Sequence, residues 1–245
     1  MAKEHANNTI DKMDQPLPLW MILLIPVYVG VLFSVILFPI AKDWGWLEAW
    51  LYIIVFAINI TVSYFIINKK NPRVIRNRMK VKKEGLTSLT KKSAGSDKFI
   101  MPVLGVGFIC TLILPAFDHR YGWSSIPFLV EMVGLVLSNA GMVIMDIVML
   151  QNSYASKLLD IKEGQTIIDT GLYARVRHPL YSGASVMILT LPIALGSWWG
   201  VLPAVIGVLS LVLRIQFEEE MLVKGMDGYR EYQTRVKYKL IPGIY

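Results

Sequence analysis

The sequence has little of the chemistry that sulfur and histidine provide. Of its 245 residues only one is a cysteine, Cys110, and three are histidines. A single cysteine cannot form a disulfide within the chain, and it cannot supply the clustered thiolates of a zinc site. These shortages exclude a disulfide-stapled secreted domain, and we expect no metal site.

Charge is also scarce, at 18% of the residues, whereas soluble domains carry roughly a quarter. Hydrophobic residues make up 54% of the chain. They are concentrated in runs, and the four longest can each cross about 30 Å of hydrocarbon. These four runs are residues 19–40, 47–67, 99–117 and 126–150.

Two shorter apolar runs follow, over residues 180–195 and 198–213, separated by Gly196 and Ser197. This pattern is typical of a helical hairpin that enters the membrane and returns. We therefore expect an all-α integral membrane protein with about six transmembrane helices, the last two forming a short hairpin.

The net charge of +7 comes from one segment. Residues 68–98 contain 11 Lys and Arg against 2 acidic residues, a net charge of +9, and the rest of the chain carries −2. Short loops rich in Lys and Arg remain cytoplasmic, so this basic loop predicts that both chain ends are cytoplasmic. The lipid bilayer, with its anionic headgroups, accounts for the basic loop, and we expect no nucleic-acid partner.

The fourth run contains polar side chains. Asn139, Asp146 and Ser153 are spaced by seven residues, which places them on one helical face with Asn152 beside them. An intramembrane carboxylate is costly unless it meets a partner or water, so Asp146 is a candidate for the substrate side of a polar cavity. The alternative is that Asp146 is solvated at the interface. Asn59, in the second run, is expected to hydrogen-bond between helices.

Most of the side chains that are candidates for ligand binding lie after residue 150. The first group is an Arg-His-Pro step at residues 177–179. Proline disfavours the α conformation at His178 and is favoured at the first helical position, so a helix is predicted to begin at Pro179. The N–H groups of residues 180–182 would then be unpaired, and with Arg175 and Arg177 they would form an anion site. Alternatively, the arginines bind lipid phosphates and His178 caps the helix.

A run of three carboxylates, Glu218, Glu219 and Glu220, follows the last apolar run. Adjacent helical residues point about 100° apart, so only one or two of them can face a given site. Arg214 is spaced to pair with Glu218. If both short helices return to one side, the arginines and carboxylates converge and suit a zwitterionic ligand. The alternative is a solvated helix end.

The C-terminal tail alternates apolar and basic residues: Val236, Tyr238 and Leu240 with Lys237 and Lys239. This alternation predicts an extended segment with one apolar face. Such a segment is compatible with lying along the headgroups and with closing over the pocket.

As an ensemble, the motifs of about residues 150–245 resemble the isoprenylcysteine carboxyl methyltransferase family and its relatives, the phospholipid methyltransferases. Residues 1–149, which include the basic loop, would then be N-terminal membrane helices, joined to the C-terminal cofactor-binding region in one integrated membrane domain. The motifs are Asn152-x-Tyr154, Gly164-Gln165, Gly171-x-Tyr173-x-x-Val176-Arg177-His178-Pro179-x-Tyr181-x-Gly183, Arg214-Ile215-x-x-Glu218-Glu219, Tyr229-x-x-Tyr232 and a Leu-Ile-Pro-Gly ending.

The resemblance implies an S-adenosyl-L-methionine-dependent methyltransferase that modifies a carboxylate or other nucleophile of a lipophilic or lipidated substrate. It implies no metal and no covalent nucleophile. We expect Arg214 and Asn152 to have catalytic roles on the acceptor side and Asp146 to face the substrate. The residues expected at the cofactor are Gly171, Tyr173, Arg177, His178, Pro179, Leu180, Tyr181, Glu218 and Glu219.

Two other functions remain open from the sequence. Sterol reductases, which use NADPH, look similar over the same region, but carboxylates here would repel a 2′-phosphate and favour the methyl donor. A non-enzymatic lipid-binding membrane protein is the third possibility, and it predicts that neither cofactor stabilises the chain.

Overall fold

The structure, a computed structural model, describes residues 15–78, 97–154 and 164–245. Within these ranges the chain is helical and contains no strand. The central part of the predicted basic loop, residues 79–96, lies outside the described residues, as do residues 1–14. The helices are α1 (Leu19–Ala41), α2 (Leu47–Lys70), α3 (Asp97–Tyr121), α4 (Phe128–Gln151), a 3₁₀ turn (Gly171–Ala174), α5 (Pro179–Ala194), α6 (Val201–Gly225) and α7 (Tyr229–Arg235), with residues 72–78 also helical.

Among the described residues, five helices are long and apolar enough to span a membrane: α1, α2, α3, α4 and α6. The fifth predicted pass, α5, has 16 residues and is about 24 Å long, short of the roughly 30 Å hydrocarbon core. The last pair is therefore unequal, because α6 has 25 residues and carries the glutamate run within its final turns. The expected short hairpin is wrong for its second helix.

The helices pack as one bundle. α1 lies against α2 and α3, α4 lies between α2 and α5, and α6 packs on α3 and α5. Large apolar side chains such as Val35, Val136 and Leu209 are exposed on the outside of the bundle. An apolar exterior is what lipid requires, so the fold is that of an all-helical membrane protein.

Small residues bring α4 and α5 into backbone contact. A Cβ atom built on Gly141 would lie 2.5 Å from the carbonyl oxygen of Gly183. One built on Gly134 would lie 2.8 Å from the backbone nitrogen of Ala194. The small residues of α4 therefore serve close packing against α5.

The polar face predicted on α4 is shorter than expected. The helix ends at Gln151, and Asn152 is extended (φ −125°, ψ 102°), so Ser153 does not continue the face. The Ser153 hydroxyl instead donates to Asn71 Oδ1 at 2.9 Å. Asn59 was expected to bond between helices, but its buried Oδ1 has no hydrogen-bond partner among the described residues.

Most of the predicted cofactor-binding residues lie at one end of the bundle. α4 and α6 end there, α5 begins there, and the chain after α6 folds back onto it. We call it the pocket end.

Candidate functional site

The Arg-His-Pro step starts α5 as the sequence predicts. His178 lies outside the α region (φ −123°, ψ 58°) and Pro179 is the first helical residue. The expectation of three unpaired N–H groups is wrong for Tyr181 and Ser182, which donate to the carbonyl of His178 at 3.0 and 3.1 Å. The carbonyl of an N-cap residue accepts the first bonds of its helix, which explains this difference. The His178 side chain itself caps nothing.

Four charged or titratable side chains form what we call the Glu219 cluster: Arg177, His178, Glu219 and Lys239. Arg177 Nε donates to Glu219 Oε1 at 2.6 Å, and His178 Nε2 lies 3.2 Å from the same oxygen. Lys239 Nζ lies 3.4 Å from Oε2. The side chains of Arg177 and Glu219 are 7% and 10% exposed. The cluster is therefore a buried, mutually paired group.

The C-terminal tail is bound to the Arg-His step. Arg177 Nη1 donates to the carbonyls of Val236 and Lys237 at 2.6 and 2.8 Å. The backbone N–H groups of Arg177 and His178 donate to the carbonyls of Tyr238 and Lys239, both at 2.9 Å. The sequence left open whether the tail lies along the headgroups or closes over the pocket. In the structure the tail packs onto the Arg-His step. These bonds occupy Arg177, which is expected to hold the tail rather than an anion from solution.

Beside this cluster lies a cavity that we call the tyrosine pocket. Its wall includes seven of the residues that were predicted to form the site: Asn152, Tyr173, Arg177, His178, Leu180, Tyr181 and Glu218. The other cofactor candidates, Gly171, Pro179 and Glu219, are adjacent to this wall without forming part of it.

Glu218 is the carboxylate of the glutamate run that faces the pocket. Its Oε2 accepts a 2.5 Å hydrogen bond from the Tyr181 hydroxyl, and the Tyr181 ring stacks on His178 with centroids 5.7 Å apart. Glu219 points into the buried cluster, and Glu220 is exposed. One helix therefore directs three consecutive carboxylates to a pocket, a cluster and solvent.

Tyr173 links the 3₁₀ turn to the pocket. Burial raises the pKa of Tyr173 to about 12, although the hydrogen bond from Asn152 acts in the opposite direction. Asn152 Nδ2 donates to the Tyr173 oxygen at 2.8 Å, so the hydroxyl keeps its proton for another acceptor. The Tyr232 hydroxyl donates to the Tyr173 carbonyl at 2.7 Å.

Gly171 permits this turn. Its φ of +60° is in the left-handed region, and a Cβ atom there would collide with the side chain of Gln151. Gln151 Oε1 in turn accepts from the N–H of Leu172 at 3.1 Å. Gly171 thus shapes the backbone behind Tyr173.

The residues predicted on the acceptor side lie in three places. Asn152 is in the wall of the tyrosine pocket. Arg214 is buried, with its guanidinium carbon 5.8 Å from the centre of the Tyr181 ring. Asp146 accepts a 2.5 Å hydrogen bond from Ser63 and lines a separate groove between α2 and α4.

Sequence reasoning assigned no role to several residues of the pocket wall. Tyr154, Gln165, Tyr229 and Tyr232 appeared in the motifs without a role, although Tyr229 and Tyr232 are spaced to share one helical face. Lys239 of the Glu219 cluster was missed because its partner is far along the chain. The remaining wall residues without a role are Thr166, Ile167, Ile168, Met221, Leu222 and Met226.

Comparison with known proteins gives a family match for part of the chain. Residues 130–227 match the family model of phospholipid methyltransferases. The predicted resemblance to this methyltransferase family is confirmed. The matched segment begins near the start of α4 rather than at 150, and it ends before α7. It thus contains α5 and α6, which supply Tyr181 and Glu218.

A solved structure of a eukaryotic intramembrane Ras methyltransferase, an isoprenylcysteine carboxyl methyltransferase, is also similar. The two chains are 16% identical, the TM-score is 0.46, and the match covers 92% of this chain and 85% of that one. No curated protein sequence matches.

Proposed function

We propose that this chain is an S-adenosylmethionine-dependent methyltransferase that methylates a lipophilic substrate at a membrane. The observation that supports it most directly is the position of Glu218 and Tyr181. Both lie within the family-matched segment, and their 2.5 Å hydrogen bond forms part of the pocket wall.

The donor set of the tyrosine pocket fits the methyl donor. Glu218 offers a carboxylate to an ammonium group or to ribose hydroxyls, and the rings of Tyr173, Tyr181 and Tyr229 offer faces to a sulfonium cation. Leu180, at the start of α5, brings the helix N-terminus to the same wall, where it favours a carboxylate.

The bound donor would supply an electrophilic methyl group to a nucleophilic oxygen of the substrate, and its sulfur would keep the electron pair of the carbon–sulfur bond. The protein then has to align the groups and exclude water. The buried rings of Tyr229 and Tyr232 close one side of the pocket. The Glu219 cluster holds the tail that carries Lys239, so we assign Arg177 and Glu219 to the architecture of the site.

In this proposal the pocket end faces the cytoplasm, where the cofactor is found, and both chain ends lie on that side. The positive-inside rule supports this orientation, because the basic residues Lys69, Lys70, Arg73, Arg76 and Arg78 lie near the ends of α2 and α4.

Thermal unfolding of the detergent-solubilised protein tests the cofactor. A ligand at 100 times its dissociation constant stabilises the native state by about 2.7 kcal/mol. We expect S-adenosylhomocysteine to raise the unfolding temperature and NADPH to leave it unchanged. Stabilisation by NADPH alone would contradict the proposal and favour a reductase.

Two neighbouring substitutions sharpen this test. Glu218→Gln removes the carboxylate that faces the pocket, and we expect the affinity for S-adenosylhomocysteine to fall roughly tenfold or more, as for loss of one charge-assisted bond. Glu220→Gln removes an equal charge from an exposed position and should leave the affinity unchanged. Equal affinities in both variants would remove Glu218 from the site.

A further inference from the structure

The side chain of Asn152 is fixed at both ends of its amide. Asn152 follows the last residue of α4 in an extended conformation, and its Oδ1 accepts a hydrogen bond from the backbone N–H of Tyr154 at 2.9 Å. Its Nδ2 donates to the Tyr173 hydroxyl oxygen at 2.8 Å. Because a backbone N–H only donates, the amide oxygen has to face Tyr154 and the amide nitrogen has to face Tyr173. Turning the amide over would break the bond to Tyr154.

This orientation sets the direction of the hydrogen bond to Tyr173. An amide nitrogen donates and does not accept, so the Tyr173 oxygen is the acceptor and its O–H proton points elsewhere. Burial raises the pKa of Tyr173 to about 12, so the phenol keeps this proton at neutral pH. Among the described residues none accepts it. The Tyr173 hydroxyl is therefore a hydrogen-bond donor that the described part of the chain does not use.

The backbone around Tyr173 is also held in place. The Tyr232 hydroxyl donates to the Tyr173 carbonyl at 2.7 Å, and Gln151 Oε1 accepts from the N–H of Leu172 at 3.1 Å. Both Tyr173 and Asn152 lie in the wall of the tyrosine pocket. A donor that is already oriented in a pocket wall loses little freedom when a ligand binds, so it is suited to an acceptor group of that ligand.

The other polar groups of the wall indicate which acceptor this is. Glu218 offers only acceptors, and its negative charge repels an anionic group and attracts an ammonium. Leu180 brings the N-terminus of α5 to the same wall, which favours an anion there. The amino-acid end of the methyl donor carries one ammonium and one carboxylate. With the ammonium toward Glu218, the carboxylate is the charged acceptor left for the Tyr173 proton.

We propose that the Tyr173 hydroxyl donates a hydrogen bond to the carboxylate of the methyl donor, and that Asn152 is a positioning residue that acts on the cofactor only through Tyr173. This inference rests on the proposed methyltransferase function and deepens it, because it names the cofactor group that Tyr173 binds. It also changes the role expected for Asn152, which the sequence placed on the acceptor side as a catalytic residue.

Two other parts of the cofactor also accept hydrogen bonds, the ribose hydroxyls and the adenine nitrogens. The carboxylate is the better match, because an ionised acceptor forms a shorter and stronger hydrogen bond than a neutral one does. The ribose hydroxyls can also donate, which suits them to Glu218 rather than to a phenol that needs an acceptor. A pair of ligands that differ only in the carboxylate distinguishes these alternatives.

Equilibrium binding of that ligand pair to the full-length protein in detergent tests the assignment. S-adenosylhomocysteine carries the carboxylate, and its decarboxylated analogue keeps the amine, the ribose and the adenine. Tyr173→Phe removes the hydroxyl alone. We expect the affinity for S-adenosylhomocysteine to fall roughly tenfold or more and the affinity for the analogue to stay the same. Equal losses for the two ligands, or no loss for either, would overturn the proposal.

Tyr238→Phe is the matched control for loss of a phenol hydroxyl. Tyr238 lies in the C-terminal tail at the pocket end, but it is 39% exposed and is not part of the pocket wall. The affinities of this variant for both ligands should equal those of the wild type. A loss as large as that of Tyr173→Phe would show that the effect does not depend on the hydroxyl in the pocket, and it would contradict the proposal.

Asn152→Asp tests the positioning role. It keeps the shape of the side chain and an oxygen for the Tyr154 N–H, but it replaces the donor with an oxygen that accepts the Tyr173 proton. We expect the affinity for S-adenosylhomocysteine to fall roughly tenfold or more, and to fall less when Tyr173→Phe is already present. Repulsion between the introduced carboxylate and the ligand acts in both backgrounds. Equal losses in the two backgrounds would mean that Asn152 does not act through Tyr173.

Thermal unfolding without ligand shows whether each variant folds. If Tyr173→Phe does not, Asn152→Asp carries the test, since its loss of affinity should again be confined to the ligand with the carboxylate. A pocket that had merely lost its shape would bind both ligands less well, which would refute the positioning role.

Binding to the wild-type protein separates this inference from the proposed function. If the wild type does not bind S-adenosylhomocysteine, the proposed function is refuted. If the wild type binds it and Tyr173→Phe binds it equally well, the cofactor remains and the roles given to Tyr173 and Asn152 are refuted.

Discussion

The Glu219 cluster and the groove between α2 and α4 both contain polar side chains within an apolar bundle. They differ in whether those side chains have hydrogen-bond partners within the chain. In the cluster, Glu219 contacts Arg177, His178 and Lys239, all within the chain. In the groove, the Oδ1 atoms of Asn59 and Asn139 have no partner among the described residues. Both sets are polar and largely buried, so burial alone does not distinguish them.

The difference determines how much each set of polar groups contributes to the stability of the fold. A buried polar group that is paired within the chain fixes the fold, because removing its partner leaves an unmet charge or dipole. A polar group without a partner contributes no such bond, so it can be replaced with little loss of stability. This contrast leads to four expectations, from the largest effect to the smallest.

The strongest test removes Arg177. Arg177→Ala leaves Glu219 buried without its closest cation and frees the tail carbonyls, so we expect a loss of about 3–5 kcal/mol, or roughly 10 °C in unfolding temperature. Arg175→Ala removes an exposed arginine two residues away and serves as the control. A similar small effect for both, measured in detergent, would show that the cluster does not hold the fold.

The packed face of α4 offers the second test. Gly141→Val forces a side chain into the carbonyl of Gly183 on α5, and overpacking of this kind costs about 1–3 kcal/mol. Ala140→Val adds similar bulk at an exposed neighbouring position and should be tolerated. If both variants unfold at the wild-type temperature, the contact between the two backbones is looser than described.

Two adjacent residues of α4 sharpen the comparison further. Ser138 shares a 3.0 Å hydrogen bond with the Tyr52 hydroxyl, so Ser138→Ala should destabilise the protein by about 1–3 kcal/mol. Asn139→Leu should cost little or even stabilise, since no described residue bonds to its Oδ1. Thermal unfolding of both variants and the wild type measures these changes in stability. A larger loss for Asn139→Leu would mean that its amide has a partner in the native state.

Local rules predicted the helices and the beginning of the site. The Arg-His-Pro step predicted both the conformation of His178 and the start of α5 at Pro179, because the steric effect of proline acts on its immediate neighbour. Long apolar runs likewise predicted the positions of α1 and α4. The family motifs brought Tyr173 and Glu218 to attention, and the structure places both in one pocket wall.

What the sequence left open depends on contacts distant along the chain. Which glutamate faces the pocket is decided by Arg177 and Lys239, which draw Glu219 away from it. The unmet amide of Asn59 is a property of the space between α2 and α4, and no local pattern distinguishes it from an amide that bonds between helices. Hydrophobicity likewise did not show where α6 would end, since its glutamate run continues the helix to Gly225.

The smallest expected effect lies at the opposite end of the bundle, where His119 Nε2 lies 2.9 Å from Asp43 Oδ2. The hydrogen bonds from His119 and from the Gly45 backbone lower the pKa of Asp43 below its ordinary value of 3.8. A carboxyl group with a lowered pKa stabilises the fold above its ordinary pKa, and this contribution is lost as the pH falls through the lowered value. The pair is exposed, so the contribution is small. Asp43→Asn should therefore unfold slightly below the wild type at pH 7, and the gap should close as the pH falls below the ordinary pKa of 3.8. A gap that persists in acid would show that the carboxylate charge is not what the pair contributes.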